Sequence, residues 1–503
     1  MNNKLVLYGL PVLVLLVIFF PLFQVNYAYL DDFHQLWFNE KGATYNIWFI
    51  HGRVLGGLLM DKAFTSINTI DAVKLYRIFS VLGWALAICV YVSVAIQWAR
   101  YKLIDSRLVL VSAVYLACSL SVAIANGWGG TCFEICLTFM AGLLSGHLLY
   151  AQLKKHHRFL AIPIPMQLLV LLLGVTSLFT YQIGIGMFLI PFFLHFNSRR
   201  FERPDHILLT GIISFLTIIA IYYLLYKFHL KMEGIEEPER ANLTFNILKK
   251  ISFFVGVPTA QAFSFNFLFN LHSIISQLFY ILAIAVWVLH AFLTQRKKPV
   301  INKIIYIAGT FALLMLIYLP VMATVENYSS YRSMLALNLA VMLMLTNMII
   351  EWIKNSSGKN GFAIGAMILF AGVGFYNFRY NFLQPVLKEY QVVRTYIEKH
   401  YTPGIAKVYF LRPPERLYKD HYGIHYYRDE FGVPLTFKDW VPVPFVKQVI
   451  YEITHDKSIA QKTEVVMFNY DDATSFNKQV ALKEANTMAI DVPALFESER
   501  QVD

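Results

Sequence analysis

Long apolar runs recur along most of this 503-residue chain. Of its residues, 57% are hydrophobic and only 15% are charged. A soluble protein of this size would not need so much apolar surface, whereas each bilayer-spanning helix needs about 20 apolar residues. The composition therefore predicts an integral, multi-pass membrane protein built mainly of α-helices.

The apolar runs predict about eleven spans within the first 380 residues. The predicted spans are 5–23, 73–97, 108–125, 132–150, 159–179, 183–196, 206–226, 273–293, 304–324, 333–352 and 362–379. A further apolar stretch from Phe253 to Leu271 is interrupted by Pro258, so we expect a re-entrant or surface-lying segment there. Residues 1–380 are accordingly predicted to form a transmembrane helical bundle.

The distribution of basic residues predicts how the spans are oriented. Lys and Arg gather in alternate short loops, at 100–107, 154–158, 199–203, 296–303 and 354–359. The intervening loops at 126–131 and 181–182 contain neither residue type. Because positive loops stay in the cytoplasm, the N-terminus is predicted to be cytoplasmic. The first loop (24–72) and, with eleven spans, the C-terminus are predicted to be extracytoplasmic.

The composition changes near residue 381, where the long apolar runs end. The remaining segment has nearly balanced acidic and basic residues and several prolines. The runs Val408–Leu411 and Val465–Phe468 are typical of strands, and amphipathic helical stretches lie between them. We therefore predict that residues 381–503 form a small extracytoplasmic α/β domain.

Two adjacent carboxylates, Asp31 and Asp32, follow the first span by a few residues. Apolar and aromatic residues recur after them at roughly helical spacing, which favours amphipathic helices lying in the membrane interface. A charged pair at the membrane surface is costly unless it is solvated, partnered or used. One alternative to a functional role is that an Asp of the pair caps the surface helix.

Trp48 and the dipeptide Gly52-Arg53 follow the acidic pair by about twenty residues. An outward acidic pair after the first span, an interfacial helix, this Trp and Gly-Arg element, and many further spans resemble the GT-C superfamily of membrane glycosyltransferases. The pattern is similar in particular to the Gtr-type, O-antigen glucosyltransferase-like family. The motif covers about residues 28–60, and His34 and Gln35 stand where the family pattern has a basic residue.

The resemblance implies an enzyme of a bacterial inner or plasma membrane. Such enzymes move a sugar from a polyprenyl-phosphate donor to a surface glycan or lipid acceptor on the extracytoplasmic face. In an inverting displacement, a carboxylate takes the proton of the acceptor hydroxyl and a cation stabilises the leaving phosphate. Asp31 or Asp32 is the candidate base, and Arg332 and Arg53 are candidates for binding the donor phosphate. Membrane lipids are the other expected partners, and the basic charge requires no nucleic acid.

Three more residues are candidates for the acceptor side of the site. Glu134 follows the outward loop at 126–131 and is a candidate second acidic residue for binding acceptor or a metal; the alternative is a helix N-terminal Glu stabilised by the dipole. His51 and Trp48 belong to the motif region. Neither His34 nor His51 has a recognised metal-ligand spacing, so a divalent metal or other cofactor stays unassigned. Arg332 has its own alternative, an arginine that anchors a span at the membrane interface.

Two other functions compete with sugar transfer. A transporter or lipid flippase would hold ionisable residues deep within its spans, whereas the middles of the predicted spans are nearly free of them. An O-antigen polymerase would also act on the outer face, so the sequence distinguishes it less clearly from a glycosyltransferase.

Overall fold

The computed structural model describes residues 4–38, 48–131, 134–198, 205–269, 273–424, 431–482 and 485–498. Within these residues the chain is mainly helical and contains one small sheet. Eight described helices are long and apolar enough to cross a membrane, and a pair bent by 44° adds a ninth if its halves form one span. The protein is therefore an integral, multi-pass membrane protein.

The long apolar helices follow the predicted spans. They are Lys4–Phe23, Ile70–Arg100, Glu134–His156, His206–Glu233, Ile274–Thr294, Val300–Ile317, Leu335–Trp352 and Ser356–His400. The bent pair is Leu108–Cys118 with Leu120–Gly127, and two shorter apolar helices are Ile164–Thr180 and Gln182–Ser198. The predicted fifth and sixth spans fall on the two shorter helices.

The helices differ in how deeply they are buried. Leu335–Trp352 is mostly buried by its neighbours, whereas only 17% of the apolar part of Ile274–Thr294 is buried. Exposed apolar faces are stable in a bilayer because lipid chains solvate them as well as other apolar side chains do. Leu335–Trp352 therefore lies centrally in the bundle, and the apolar surface of Ile274–Thr294 suits contact with lipid.

Polar residues set the ends of the helix His206–Glu233. The Asp205 side chain accepts a hydrogen bond from the backbone amide of Leu208 at 3.0 Å, as an N-terminal cap does. At the other end Gly234 has a φ of +66°, and its amide bonds to the carbonyl of Leu230 or Lys231. Glycine reaches this left-handed conformation at little cost, so the helix ends there.

Short helices connect the long ones. They are Asp31–Trp37, Val54–Phe64, Ile247–Gly256, Pro258–Phe263, Asn266–Phe269 and Leu319–Met322. Three of them make up the apolar stretch that was expected to be re-entrant or surface-lying, and none of the three is long enough to cross a membrane. The last two residues of that stretch, 270 and 271, lie outside the described residues.

The last long helix continues through residue 380, the predicted end of the membrane part, and reaches His400. Beyond it, strands β1 (Lys407–Leu411), β2 (Glu464–Phe468) and β3 (Thr487–Asp491) form a parallel sheet in the order β2-β1-β3. The accompanying helices are Leu417–Tyr422, Pro442–Thr454, Lys457–Lys462, Ala473–Ala481 and Val492–Ser498. The two strand-like runs in the sequence are β1 and β2, whereas β3 was not predicted.

The C-terminal unit (401–498) packs on the helix that carries the acidic pair. The rings of Phe33 and Phe445 stack with their centroids 4.3 Å apart, and both side chains are fully buried. Burying one such side chain contributes about 1.5–3 kcal/mol. Nearby, Glu452 accepts a hydrogen bond from the amide of Ile70 at 2.6 Å. The unit is thus fixed beside the first loop and the start of the second long helix.

Candidate functional site

A cavity of about 1020 Å³ lies beside the helix Asp31–Trp37. This volume is at the upper end of the range for small-molecule sites, which is about 300–1,000 Å³. One part of its wall carries polar groups, among them Asp31, His34, His51, Arg53, Arg332 and Lys438. Another part is apolar and includes Leu178, Ile183, Leu216, Ile219, Leu319 and Val321. The cavity can therefore hold a molecule with a charged end and an apolar end.

Asp31 lines this cavity as the first residue of its helix. Its Oδ1 accepts a hydrogen bond from Nε1 of Trp440 at 2.8 Å. Trp440 belongs to the C-terminal unit, 409 residues further along the chain. The carboxylate thus lies where the first loop and the C-terminal unit meet.

Asp32 has a different environment because its side chain is fully buried. Its carboxylate accepts hydrogen bonds from the amides of Tyr29 at 2.9 Å, Gly129 at 3.3 Å and Gly130 at 2.6 Å. Burial raises the pKa of Asp32 to about 7, while the positive charge of Arg77 and the three amide donors oppose this shift. Asp32 therefore joins two loops behind Asp31.

Arg53 is fixed by aromatic rings and an amide. Its guanidinium carbon lies 4.1 Å from the ring centroid of Tyr181 and 5.2 Å from that of Trp48. Its Nε donates to Oε1 of Gln182 at 3.3 Å, and Nε2 of Gln182 donates to the carbonyl of His51 at 2.6 Å. Cation–π contacts and these hydrogen bonds hold the charge at the cavity wall.

Gly52 of the Gly-Arg element has a structural requirement for glycine. Its φ is +73°, and a Cβ at this position would lie 2.2 Å from the hydroxyl oxygen of Tyr222. That hydroxyl donates to the carbonyl of Gly52 at 3.2 Å. The glycine lets the first loop approach the helix His206–Glu233 closely enough to place Arg53.

Arg332 reaches the same cavity from the segment before the helix Leu335–Trp352. Its side chain stacks on Trp128, with 4.6 Å between the guanidinium carbon and the ring centroid. Its Nη2 donates to the hydroxyl of Tyr328 at 3.1 Å. Only 8% of the residue is exposed, so neighbouring side chains hold the guanidinium group at the cavity wall.

Glu134 is fully buried at the first position of the helix Glu134–His156. Its charge interacts favourably with those of Arg53 and Arg332 and unfavourably with that of Asp31. Neither carboxylate oxygen has a hydrogen-bond partner within the part of the chain that the structure describes. The acid thus lies buried close to the two arginines and to Asp31.

The structure brings most of the predicted site residues to one place. Asp31, Trp48, His51, Arg53 and Arg332 line the cavity, and they come from separate parts of the chain. The remaining two, Asp32 and Glu134, are buried close to them.

Sequence reasoning missed other residues of this wall. Lys438 and Trp440 line the cavity from the C-terminal unit. In the sequence, the one feature that marks them is their place in a loop between two prolines. Glu237 also lines the cavity and pairs with Lys227. The mixed charge of residues 226–250 is typical of a solvated amphipathic segment or of one that orders over a bound substrate, but the pattern did not single out Glu237.

The described residues contain no group of three His, Cys, Asp or Glu side chains suited to a metal ion. The described residues therefore offer no set of ligands with which Glu134 or His51 would bind a metal ion.

No protein-family model, curated protein or solved structure matches this chain. Its function is therefore inferred from the chemistry of the cavity: a carboxylate, two fixed guanidinium groups and an apolar wall around one space.

Proposed function

We propose that the protein is a GT-C-type glycosyltransferase that moves a sugar from a polyprenyl-phosphate donor to a glycan or lipid acceptor. The proposal depends on one observation, the combination of Asp31, Arg53 and Arg332 with an apolar wall in one cavity. A lipid-linked sugar has matching parts, because it joins an isoprenoid chain, an anionic phosphate and a polar sugar. We assign the active side to the extracytoplasmic face, following the loop charges.

The two arginines suit the phosphate of such a donor. A guanidinium group offers planar pairs of N–H donors that match phosphate oxygens, and it keeps its charge at any physiological pH. Both arginines lie close enough to Glu134 to interact with it electrostatically, so the two cations are grouped around the same buried acid. Since aromatic rings already hold both side chains, little conformational entropy is lost when an anion binds.

The apolar wall suits the lipid part of the donor. Its side chains come from the helices Ile164–Thr180, Gln182–Ser198 and His206–Glu233 and from residues 319–321. Each methylene that leaves water for such a surface contributes about 0.8 kcal/mol. A soluble nucleotide-sugar would leave this surface unused, so a lipid-linked donor fits the cavity better.

Asp31 is the proposed base of a single inverting displacement. The acceptor hydroxyl oxygen attacks the anomeric carbon, the bond from that carbon to the phosphate oxygen breaks, and Asp31 takes the hydroxyl proton. Arg53 and Arg332 stabilise the charge that develops on the leaving phosphate. We assign the base to Asp31 because it lines the cavity, whereas three backbone amides already use the carboxylate of Asp32.

A comparison of cell-surface glycans with and without the gene tests this proposal. We expect mass spectrometry to show the loss of one sugar unit in the deletion strain. The wild-type gene should restore it, and Asp31→Asn should restore about 10²–10⁴-fold less transfer, the usual contribution of a general base. Shortened glycan chains without the loss of a unit would indicate a polymerase. An unchanged glycan would contradict both and favour a transporter or flippase.

A further inference from the structure

A loop of the C-terminal unit forms part of the cavity wall. This cap loop, residues 438–441, lies between the turn Leu435–Phe437 and the helix Pro442–Thr454. Lys438 and Trp440 of the loop line the cavity. Trp440 is 45% exposed, yet its indole N–H is engaged by the carboxylate of Asp31 at 2.8 Å.

A buried glutamate holds the start of the cap loop. Glu389 lies on the last long helix and is fully buried. Its carboxylate accepts hydrogen bonds from the amide of Leu435 at 2.7 Å, and from the amide and hydroxyl of Thr436 at 2.9 and 2.6 Å. The hydroxyl of Tyr418 donates to it as well. Because a buried carboxylate is stable only when it is well bonded, this arrangement fixes the turn relative to the membrane helix.

The other end of the cap loop is fixed by packing. The helix Pro442–Thr454 follows it directly and rests on the helix of Asp31 through the stacked rings of Phe33 and Phe445. The loop is therefore held on both sides of Trp440, and the indole N–H has a defined position relative to Asp31.

We propose that Trp440 is a positioning residue for Asp31 and that the cap loop, held by Glu389, completes the active site. This inference rests on the proposed function. A hydrogen bond to one carboxylate oxygen restricts rotation of the group and favours its ionised form, which is the form a base needs. A misplaced base loses rate steeply even when substrate still binds. The C-terminal unit thus contributes to turnover through Asp31.

Kinetics of Trp440 variants test the inference in the full-length protein in lipid nanodiscs. The donor and acceptor are the lipid-linked sugars and the unmodified glycan extracted from the deletion strain. Trp440→Phe keeps an aromatic ring and removes the indole N–H that bonds to Asp31. We therefore expect kcat to fall about tenfold or more, while the KM values for both substrates stay within about twofold. Trp440→His keeps an N–H on a ring and should recover part of the loss. Tyr470→Phe, at a 41% exposed position of the same unit, should match the wild type.

Two further variants separate positioning from a general structural role. In the Asp31→Asn background, Trp440→Phe should cause no further loss, since the carboxylate it orients is already gone. Glu389→Gln keeps one acceptor oxygen and should lower kcat less than Trp440→Phe does, again with unchanged KM values. Gel filtration and unfolding midpoints check that each variant is folded.

The outcomes distinguish this inference from the proposed function. The role of Trp440 is overturned if Trp440→Phe keeps the wild-type kcat, or if it lowers kcat by the same factor with and without Asp31→Asn. The proposed function still stands in that case, provided that Asp31→Asn loses transfer. Normal transfer by Asp31→Asn would overturn the proposed function and this inference with it. If Trp440→Phe does not fold, Trp440→His decides, because a folded His variant with a raised KM and normal kcat contradicts positioning.

Discussion

The two adjacent aspartates show how one position along a helix changes the chemistry of a carboxylate. Successive helical residues point in directions about 100° apart. Asp31 therefore faces the cavity, and Asp32 faces the backbone amides of the loops at 29 and 129–130. The sequence predicted a functional pair, but it could not choose between its members, because the difference arises from a loop almost a hundred residues away.

The raised pKa of Asp32 predicts a pH-dependent stability. Its pKa is about 7 in the folded protein, whereas an unperturbed Asp has a pKa of about 3.9, so between these values the folded state holds a proton that the unfolded chain releases. The stabilisation from this group is complete below about pH 4 and is lost as the pH rises through about 7. We expect the unfolding temperature of the wild type to exceed that of Asp32→Asn by more at pH 5 than at pH 8.

The opposite trend would be equally informative. A difference that grows toward pH 8 would mean that Arg77 and the three amide donors outweigh burial and favour the ionised carboxylate. Asp471→Asn, at an exposed position of the C-terminal unit, serves as a control for general effects of pH on unfolding.

Arginine-to-lysine substitutions test the phosphate site. Arg332→Lys keeps the charge but loses the planar fork and the stacking on Trp128. We expect the KM for the lipid-linked donor to rise about tenfold, with a larger rise for Arg332→Ala and unchanged protein abundance. Arg53→Lys should have a similar effect. Arg416→Lys, on the exposed surface of the C-terminal unit, is the matched control and should be neutral.

The result for each arginine decides its role separately. Normal donor use by both Arg332 variants, with a defect in Arg53→Lys, would assign the phosphate to Arg53 and leave Arg332 as an anchor. Both arginines were found from the sequence because one belongs to the motif and the other is the lone basic residue of its loop. Trp440 was not found, because its contact with Asp31 exists only after the C-terminal unit has packed on the first loop.

At the scale of elements, hydropathy located the long helices well. The length of an apolar run is a local property, so the helices Ile70–Arg100 and Leu335–Trp352 lie within a few residues of the predicted spans. Hydropathy was less informative where tertiary packing decides. Strand β3 (Thr487–Asp491) lacks the run of four apolar residues that marks β1 and β2, and the 45-residue helix Ser356–His400 leaves the apolar region before it ends.

Close packing between elements makes Gly129 sensitive to substitution. A Cβ at Gly129 would lie 2.4 Å from Cγ1 of Val73 and 3.2 Å from Oδ1 of Asp32. Gly129→Ala should therefore force the loop away from Asp32 and destabilise the protein by about 1–3 kcal/mol. Gly372→Ala is the control, because a Cβ there meets nothing within 4 Å and alanine favours the helix. Unfolding measurements on the two purified variants compare them directly, and equal stabilities would show that the loop relaxes freely.

At the scale of the whole molecule, the C-terminal unit and the acidic pair share one side of the helical bundle. The cap loop contacts Asp31, and the helix Pro442–Thr454 packs on the helix that carries the pair. The sequence predicted an extracytoplasmic position for both, but from loop charges and an odd number of spans. Because the two are in contact, they lie on the same side, which requires an even number of spans between them, as in the eleven-span prediction.

Cysteine labelling tests which side this is. Glu134 lies near Arg53 and Arg332, and Lys154 stands near the other end of the same 23-residue helix, which is about 35 Å long. Lys154→Cys and Asp471→Cys should therefore report opposite faces of the membrane. In intact cells a membrane-impermeant maleimide should label Asp471→Cys, and it should label Lys154→Cys only after permeabilisation. The reverse pattern would place the cavity on the cytoplasmic face, where a sugar donor could be reached before it crosses the membrane. Labelling of both positions from one side would instead contradict a membrane-spanning helix Glu134–His156.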